Sequence, residues 1–157
     1  TCTFTLRDEY PHLLDIDNKD VRDSIELATR YIYRLLSSGE VKLRFKKNAP
    51  KLRVAYHTAC HMEKLGWAYY STELLRMIPS VELIMLDSQC CGIGGTYGFK
   101  KENYATAQSI GEPLFQKIEA SGCDVVSTDC EPCKWQIEMS TSKEVIHPLS
   151  ILAQALE

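Results

Sequence analysis

The chain has 157 residues, of which 45% are hydrophobic, and its formal net charge at pH 7 is −3. This length and composition suit an ordinary globular domain with a buried core. The mildly acidic balance, without a long basic block, argues against a nucleic-acid partner, and no apolar run approaches the length of about 18 residues that a membrane-spanning helix needs.

The first fifty residues are predicted to form a helical segment followed by a linker. Apolar side chains recur every three or four residues over positions 17–40, which predicts a helix, and Gly39 is a typical residue for its end. Residues 41–51 are polar and basic, and they are predicted to be a linker. The sequence therefore divides into an N-terminal segment, 1–50, and a domain, 51–157.

The rest of the chain alternates between predicted strands and predicted helices. Short β-rich runs predict four strands, at 52–58, 81–87, 123–129 and 144–150. Segments with helical periodicity predict helices at 63–78, at 102–121, at 132–139 and at the end of the chain. This alternation is typical of an α/β fold with a mainly parallel sheet flanked by helices. We expect a Rossmann-like arrangement, preceded by the N-terminal helical segment.

The seven cysteines are distributed unevenly over this pattern. Five of them follow directly after three of the predicted strands: Cys60 after the first, Cys90 and Cys91 after the second, and Cys130 and Cys133 after the third. Because the carboxyl ends of parallel strands lie along one edge of a sheet, we expect these thiols to converge there. The odd cysteine count and the lack of a recognisable secretory signal favour metal or redox chemistry in a reducing cytoplasm over a disulfide framework.

Two local patterns near these cysteines suit a bound inorganic group. Cys130 and Cys133 form a C-x-x-C pair at a predicted helix start, where unpaired N–H groups and the positive end of the helix dipole favour thiolates. In the preceding cysteine loop, Gly92, Gly94 and Gly95 would let the backbone approach a cluster without a Cβ atom in the way. Their N–H groups could donate hydrogen bonds to its sulfur atoms.

The residues alone leave several uses of these thiols open. They could hold an iron–sulfur cluster, or four of them could bind zinc, or the C-x-x-C pair could act as a thiol–disulfide redox module. His57 and His61 flank Cys60 and could be ligands, although such histidines more often support a site or pack in a core. Cys123 begins a strand at the opposite end and is predicted to be a packed small hydrophobe.

The cysteine pattern resembles the cysteine-rich CCG domain. The resemblance lies in Cys60, in Cys90-Cys91-Gly92 and in Cys130-x-x-Cys133. It extends through "YHTACHMEKLGWAYYSTELLRMIPSVEL", "LDSQCCGIGGTYGFKKENY" and "TDCEPCKWQIEMS", and it covers about residues 52–157. The family includes heterodisulfide reductase B subunits and iron–sulfur subunits of enzymes that oxidise glycolate, lactate or glycerol 3-phosphate.

What the resemblance implies is a non-catalytic electron-transfer subunit. It would accept electrons from flavin-containing catalytic A and B subunits, which oxidise glycerol 3-phosphate in anaerobic respiration, and pass them toward menaquinone. The complex would hold it peripherally at the cytoplasmic face of the bacterial inner membrane. The cofactor would be a 4Fe–4S cluster, of the noncubane type found in heterodisulfide reductases, and protein prepared in air is expected to lose it. The implied ligands are Cys60, Cys90, Cys91, Cys130 and Cys133.

The family usually carries two such motifs in one subunit. The first residues, "TCTFTLRDEYP" (1–11), resemble the end of the first motif, so Cys2 would be the last cysteine of an upstream C-x-x-C pair. On this resemblance we expect the chain to be the C-terminal part of a longer subunit. The segment 1–50 would then be a remnant of the upstream motif with its helix and linker.

Overall fold

A computed structural model describes residues 2–157, which form helices around a parallel sheet. The residues before the sheet are mainly helical: α1 (Cys2–Phe4), α2 (Tyr10–Leu14), α3 (Lys19–Ser24) and α4 (Ala28–Ser37). A π-helical stretch, Thr5–Glu9, connects α1 with α2. The N-terminal helical segment predicted from the sequence is therefore present, although it is built from several short helices.

The single helix predicted over 17–40 is wrong, because the chain breaks at Ile25 into α3 and α4. Ile25 has an extended backbone, with φ −101° and ψ 130°. The Arg7 guanidinium donates hydrogen bonds to the carbonyl oxygens of Arg22 and Ile25. A side chain from another helix thus occupies carbonyl groups that a continuous helix would pair internally. The apolar periodicity continues across the break and does not reveal it.

The strands of residues 2–157 form one parallel sheet in the order β2-β1-β3-β4. They are β1 (Leu52–Tyr56), β2 (Val81–Met85), β3 (Val125–Ser127) and β4 (Val145–Ile146). Val54 of β1 lies opposite Leu83 on one side and Val125 on the other. Because β2 and β3 lie on opposite sides of β1, the loops that follow β1, β2 and β3 meet at a topological switch point, where open α/β sheets bind ligands.

Helices occupy the connections between successive strands, and one more helix follows β4, which confirms the predicted α/β class. They are α5 (Cys60–Leu65), α6 (Ala68–Arg76), α7 (Tyr104–Ala120), α8 (Glu131–Ser140) and α9 (Pro148–Ala155). The one helix predicted over 63–78 is two, because Gly66 has φ 67° and ends α5 with a left-handed residue. Within residues 2–157, no helix combines the length and apolarity needed to cross a bilayer. The Rossmann-like subclass stays a prediction.

The sheet separates two buried cores, because successive side chains of a strand face opposite sides. Ala55 and Val126 belong to the first core, which also contains Cys123, packed at 2% exposure as a small apolar residue. Val54 and Tyr56 belong to the second core, on the other face. The first core is the one that continues into the cysteine loops, since it includes buried cysteines from two of them.

Residues of the predicted N-terminal segment pack against the second core. Ile32 of α4 is partly buried there, and so is Phe45 from the predicted linker. Phe45 also forms an isolated antiparallel bridge with Leu156, and the Lys46 N–H donates to the Ala155 carbonyl oxygen at 3.0 Å. The linker therefore runs along the C-terminal end of the described chain. The boundary between 1–50 and 51–157 stays a prediction.

Candidate metal centre

A cavity of about 290 Å³ opens where the loops after β1, β2 and β3 meet. Five cysteines line it: Cys60, Cys90, Cys91, Cys130 and Cys133. Two of them, Cys91 and Cys133, are buried, whereas Cys130 is half-buried and Cys60 and Cys90 are exposed. The three cysteine loops thus converge at one edge of the sheet, and their thiols form a site with a buried floor and an open mouth.

Two helix starts place three of these thiols. Cys60 is the first residue of α5, Cys130 is the N-cap residue of α8, and Cys133 lies in the first turn of α8. Pro132 also lies in that first turn, where its missing N–H leaves no helical hydrogen bond unmade. The positive end of the α8 dipole therefore lies beside the thiols of the C-x-x-C pair, where it favours thiolates, although hydrogen bonds with other thiols and burial outweigh this effect on the pKa of Cys133.

Cys90 and Cys91 are adjacent in the chain but have opposite environments. The Cys90 side chain is exposed, while Cys91 is 3% exposed and belongs to the first core. The N–H of Gly92 donates a hydrogen bond to the Cys90 sulfur, with an N–S distance of 3.3 Å. The pair therefore does not need both thiols to face one core, since each reaches the cavity from a different depth.

The three glycines after this cysteine pair lie in two different places: two of them line the cavity, and the third packs against α7. Gly94 and Gly95 line the cavity. Gly92 has φ +86°, and a Cβ atom placed on it would lie 1.9 Å from the Ala107 carbonyl oxygen of α7. Its missing side chain therefore makes room for α7, while its N–H is directed at a cysteine sulfur. A role of the three glycines in holding a cofactor stays a prediction.

The two buried thiols, Cys91 and Cys133, form a hydrogen-bonded pair. The Sγ atoms of Cys91 and Cys133 are 3.2 Å apart and form a hydrogen bond. This hydrogen bond lowers the pKa of Cys91 to about 5 in spite of its burial, and the nearby His57 imidazole acts in the same direction. Hydrogen bonds with Cys130 and Cys91, together with burial, raise the pKa of Cys133. Near neutral pH the metal-free Cys91–Cys133 pair therefore holds one proton and one negative charge.

The more exposed thiols also affect one another. Burial raises the pKa of Cys60, and the negative charge of the neighbouring thiols, Cys90 foremost, raises it further. Bringing several thiolates together is unfavourable unless a cation neutralises them. Soft sulfur donors in this number select thiophilic metals such as zinc or the iron of an iron–sulfur cluster. The donor set therefore fits a metal centre, and the assignment of individual ligands stays a prediction.

The structure distinguishes the two histidines that the sequence left open. His57 is 1% exposed, and one ring nitrogen lies within 4.8 Å of the sulfur atoms of Cys91 and Cys133. His61 also lines the cavity, but its ring stacks on Phe4 of α1, with 5.1 Å between centroids and an interplanar angle of 12°. His57 is thus on the buried side of the site, and His61 is at its contact with the N-terminal helices.

Sequence reasoning missed Asp129, which directly precedes Cys130. Its side chain is 2% exposed. Three hydroxyl groups donate hydrogen bonds to its carboxylate: Tyr56 at 2.6 Å, Ser71 at 2.7 Å and Thr29 at 3.4 Å. These bonds tie the start of the C-x-x-C loop to β1, α6 and α4. The only sequence signal for Asp129 was its place as an acidic residue at the end of a predicted strand. The three residues that donate hydrogen bonds to it are distant in sequence, so no local pattern reveals them.

The chain belongs to the CCG cysteine-rich domain family, whose family model matches residues 54–138. It is similar to the C subunit of anaerobic glycerol-3-phosphate dehydrogenase from Escherichia coli (strain K12), with 65% identity over 156 residues, covering 99% of this chain and 39% of that protein. It thus spans about two fifths of the length of that relative.

More distant relatives share the same region. An uncharacterised iron–sulfur protein of Methanocaldococcus jannaschii is 28% identical over 168 residues, covering 99% of this chain and 31% of that protein. Lactate utilization protein A of Geobacillus thermodenitrificans is 30% identical over 135 residues, covering 83% of this chain and 55% of that protein. The family predicted from the cysteine pattern is therefore confirmed.

Proposed function

We propose that this chain is the cluster-holding part of an iron–sulfur electron-transfer subunit of anaerobic glycerol-3-phosphate dehydrogenase. The observation that carries this proposal is the set of five cysteines around one cavity, in a chain 65% identical to the C subunit of that enzyme. A relative named as an iron–sulfur protein and the match to a cysteine-rich family support a metal or iron–sulfur cofactor. The proposed ligands are Cys60, Cys90, Cys91, Cys130 and Cys133.

The proposed cofactor is a 4Fe–4S cluster of the noncubane type, which would supply one-electron redox chemistry. The protein's own contribution is to hold and tune it. The buried side of the cavity limits the access of water to the Cys91 and Cys133 sulfurs. The Gly92 N–H and the N-terminus of α8 place positive partial charge beside the thiolates. Burial and hydrogen bonds to sulfur are the means by which proteins set cluster potentials.

The substrate chemistry belongs to other subunits in this proposal. Flavin-containing catalytic A and B subunits oxidise glycerol 3-phosphate to dihydroxyacetone phosphate, and the electrons pass through this chain toward menaquinone. The naming of the Escherichia coli relative as one subunit of an enzyme supports the existence of partner subunits. The complex would hold the chain peripherally at the cytoplasmic face of the inner membrane.

Metal analysis of protein purified without oxygen tests the proposed cofactor. We expect iron and acid-labile sulfide in the purified chain, and an EPR signal that appears or disappears on reduction. One zinc per chain without inorganic sulfide would overturn the iron–sulfur proposal. A chain with neither metal but with a reversible two-electron thiol couple would instead indicate the thiol–disulfide module.

Substitution of the adjacent cysteines tests the proposed ligands. A Cys90→Ser, Cys91→Ser double variant is expected to lose most of its iron and sulfide, because it removes one thiolate from the floor and one from the mouth of the cavity. Cys123→Ala is the control, since Cys123 is as buried as Cys91 but packs in the first core away from the cavity lining. Full iron loading of the double variant would refute the ligand assignment.

One observation favours a zinc site as a second candidate. His57, Cys91 and Cys133 offer one nitrogen and two sulfur atoms that all lie within 4.8 Å of one another. One further cysteine would complete the four ligands of a tetrahedral structural zinc site. The measured ratio of zinc to iron and sulfide separates this candidate from the cluster.

A further inference from the structure

His57 is a buried histidine that lies close enough to Cys91 to lower the pKa of that thiol, although among the described residues no atom is within hydrogen-bonding distance of its ring nitrogens. It directly follows β1, and its backbone N–H donates to the Ser127 carbonyl oxygen at 2.9 Å, which fixes its position at the edge of the sheet. The side chain is 1% exposed. Within residues 2–157, neither ring nitrogen has a hydrogen-bond partner. A neutral imidazole has one donor and one acceptor, and buried polar groups of this kind are nearly always paired.

The surroundings of the ring show where a partner would come from. His57 lines the cavity together with the five cysteines, and a ring nitrogen lies within 4.8 Å of the Cys91 and Cys133 sulfurs. The hydroxyl of Ser127 and the amide of Gln136 are also buried without partners in the described chain, but neither residue lines the cavity. Among the described residues that line the cavity, the imidazole of His57 is therefore a buried polar group whose nitrogens lack hydrogen-bond partners.

We propose that His57 is a positioning residue of the metal centre, whose ring N–H donates a hydrogen bond to a sulfur atom on the Cys91–Cys133 side. The inference rests on the proposed function only in requiring that these cysteines hold a metal. Coordinated sulfur is an acceptor, so the bond would pair the donor that burial leaves unpaired. A hydrogen bond to sulfur also offsets the negative charge of the centre, which favours its reduced form and raises its reduction potential.

Two variants of His57 test this role in the loaded protein. His57→Leu has a similar volume but no donor, whereas His57→Gln retains an N–H. We expect His57→Leu to lower the midpoint potential and to increase iron loss to a chelator by about 10- to 100-fold, the range seen when a ligand's hydrogen-bond partner is removed. In His57→Gln, the midpoint potential and the iron retention should both recover part of the way toward the wild-type values. His12→Gln, at an exposed histidine of α2, is the control. Wild-type potential and iron retention in His57→Leu would overturn the proposal.

Pulsed EPR of protein labelled with ¹⁵N-histidine distinguishes donation from direct ligation. A hydrogen bond predicts a weak nitrogen coupling to the reduced centre that disappears in both His57 variants. A coupling of the strength of a metal–nitrogen bond would overturn the donor role and make His57 a ligand.

The metal-free protein separates a role at the centre from a role in the fold. His57→Leu removes two buried ring nitrogens without hydrogen-bond partners, and it also removes the imidazole that favours the Cys91 thiolate. Because these two effects on stability are opposite, the thermal midpoint of the metal-free variant should stay close to that of the wild type. A large fall in both variants would show that His57 maintains the fold, against the proposal. If the wild type binds zinc without sulfide, the proposed function fails, and His57 is tested with Co²⁺. His57→Leu must then weaken Co²⁺ binding, and an unchanged affinity overturns the inference.

Discussion

Gly92 is a position of close approach between the cysteine loop and α7. Its φ is +86°, and a Cβ atom there would overlap the Ala107 carbonyl oxygen at 1.9 Å. We expect Gly92→Ala to lower the free energy of unfolding by about 2–4 kcal/mol, from the left-handed backbone and from the overlap together. Urea denaturation measures this change.

Gly95, in the same loop, provides the matched control. It also has a positive φ, +64°, but among the described residues no atom lies within 4 Å of its Cβ position. Gly95→Ala should therefore lose only the backbone contribution, about 1–2 kcal/mol. Equal losses in the two variants would show that the contact between Gly92 and α7 is unimportant.

The Cys91 thiol makes the stability of the metal-free protein depend on pH. Its pKa is lowered to about 5 in the folded state, whereas the pKa of an unfolded thiol is about 8.5. Its stabilising contribution is therefore complete above about pH 8.5 and is lost as pH falls toward 5. The pKa of Cys133 is raised in the folded state, so its effect on stability has the opposite pH dependence. The stabilising contribution of the protonated Cys133 thiol is lost as pH rises above about 8.5.

We therefore expect the unfolding free energy of reduced, metal-free protein to rise between about pH 5.5 and 8.5 and to fall above that range. Cys91→Ala should remove most of the rise, and Cys123→Ala should keep it. Urea denaturation under reducing, metal-free conditions at several pH values measures both. A rise that persists in Cys91→Ala would contradict the assignment of the thiolate.

At the scale of elements, Asp129 connects the C-x-x-C loop to the helices on the other face. The Tyr56 hydroxyl donates to its carboxylate at 2.6 Å, and burial with the adjacent carboxylate raises the pKa of that tyrosine. Tyr56→Phe should lower the free energy of unfolding by about 1.5–3 kcal/mol, because it removes a donor from a buried charge. Tyr69→Phe, which loses an exposed hydroxyl contact to Tyr33, should change it by less than about 0.5 kcal/mol. Similar losses in both would argue against the buried bond.

The sequence predicted the positions of all four strands, because short apolar β-rich runs between turn residues are a local signal. Two strands are shorter than the predicted 123–129 and 144–150, since β3 is Val125–Ser127 and β4 is Val145–Ile146. The helices α7 and α8 lie close to the predicted bounds. The N-terminal helix was predicted less well. At its break, the Ile25 carbonyl oxygen accepts a hydrogen bond from the Arg7 guanidinium, which lies in a different helix and is not part of the local sequence pattern. The break at Gly66 was accessible to sequence reasoning, since glycine commonly ends helices, but the periodicity on both sides favoured one long helix.

At the scale of the whole molecule, the thiol site was predictable because it depends on topology alone. Parallel strands bring the loops after β1, β2 and β3 to one edge, and that is sufficient to gather the five cysteines around one cavity. The depth of each thiol and the buried contacts of His57 and Asp129 were not predictable. They depend on how α5, α7 and α8 pack on the sheet, which no spacing in the sequence specifies.

The same topology predicts which parts of the chain become more stable when the metal binds and less stable when it is removed. The thiol loops belong to the first core, while the second core lies on the opposite face of the sheet. A metal that links three loops stabilises the folded state by binding it and should suppress local opening of those loops. We expect hydrogen exchange in the loaded protein to slow most around 57–61, 88–96 and 128–134, with little change in α9. Chelation should reverse the effect, and a Cys90→Ser, Cys91→Ser variant should show none of it. Equal slowing in α9 and in the thiol loops would mean that the metal stabilises the molecule globally rather than closing the site.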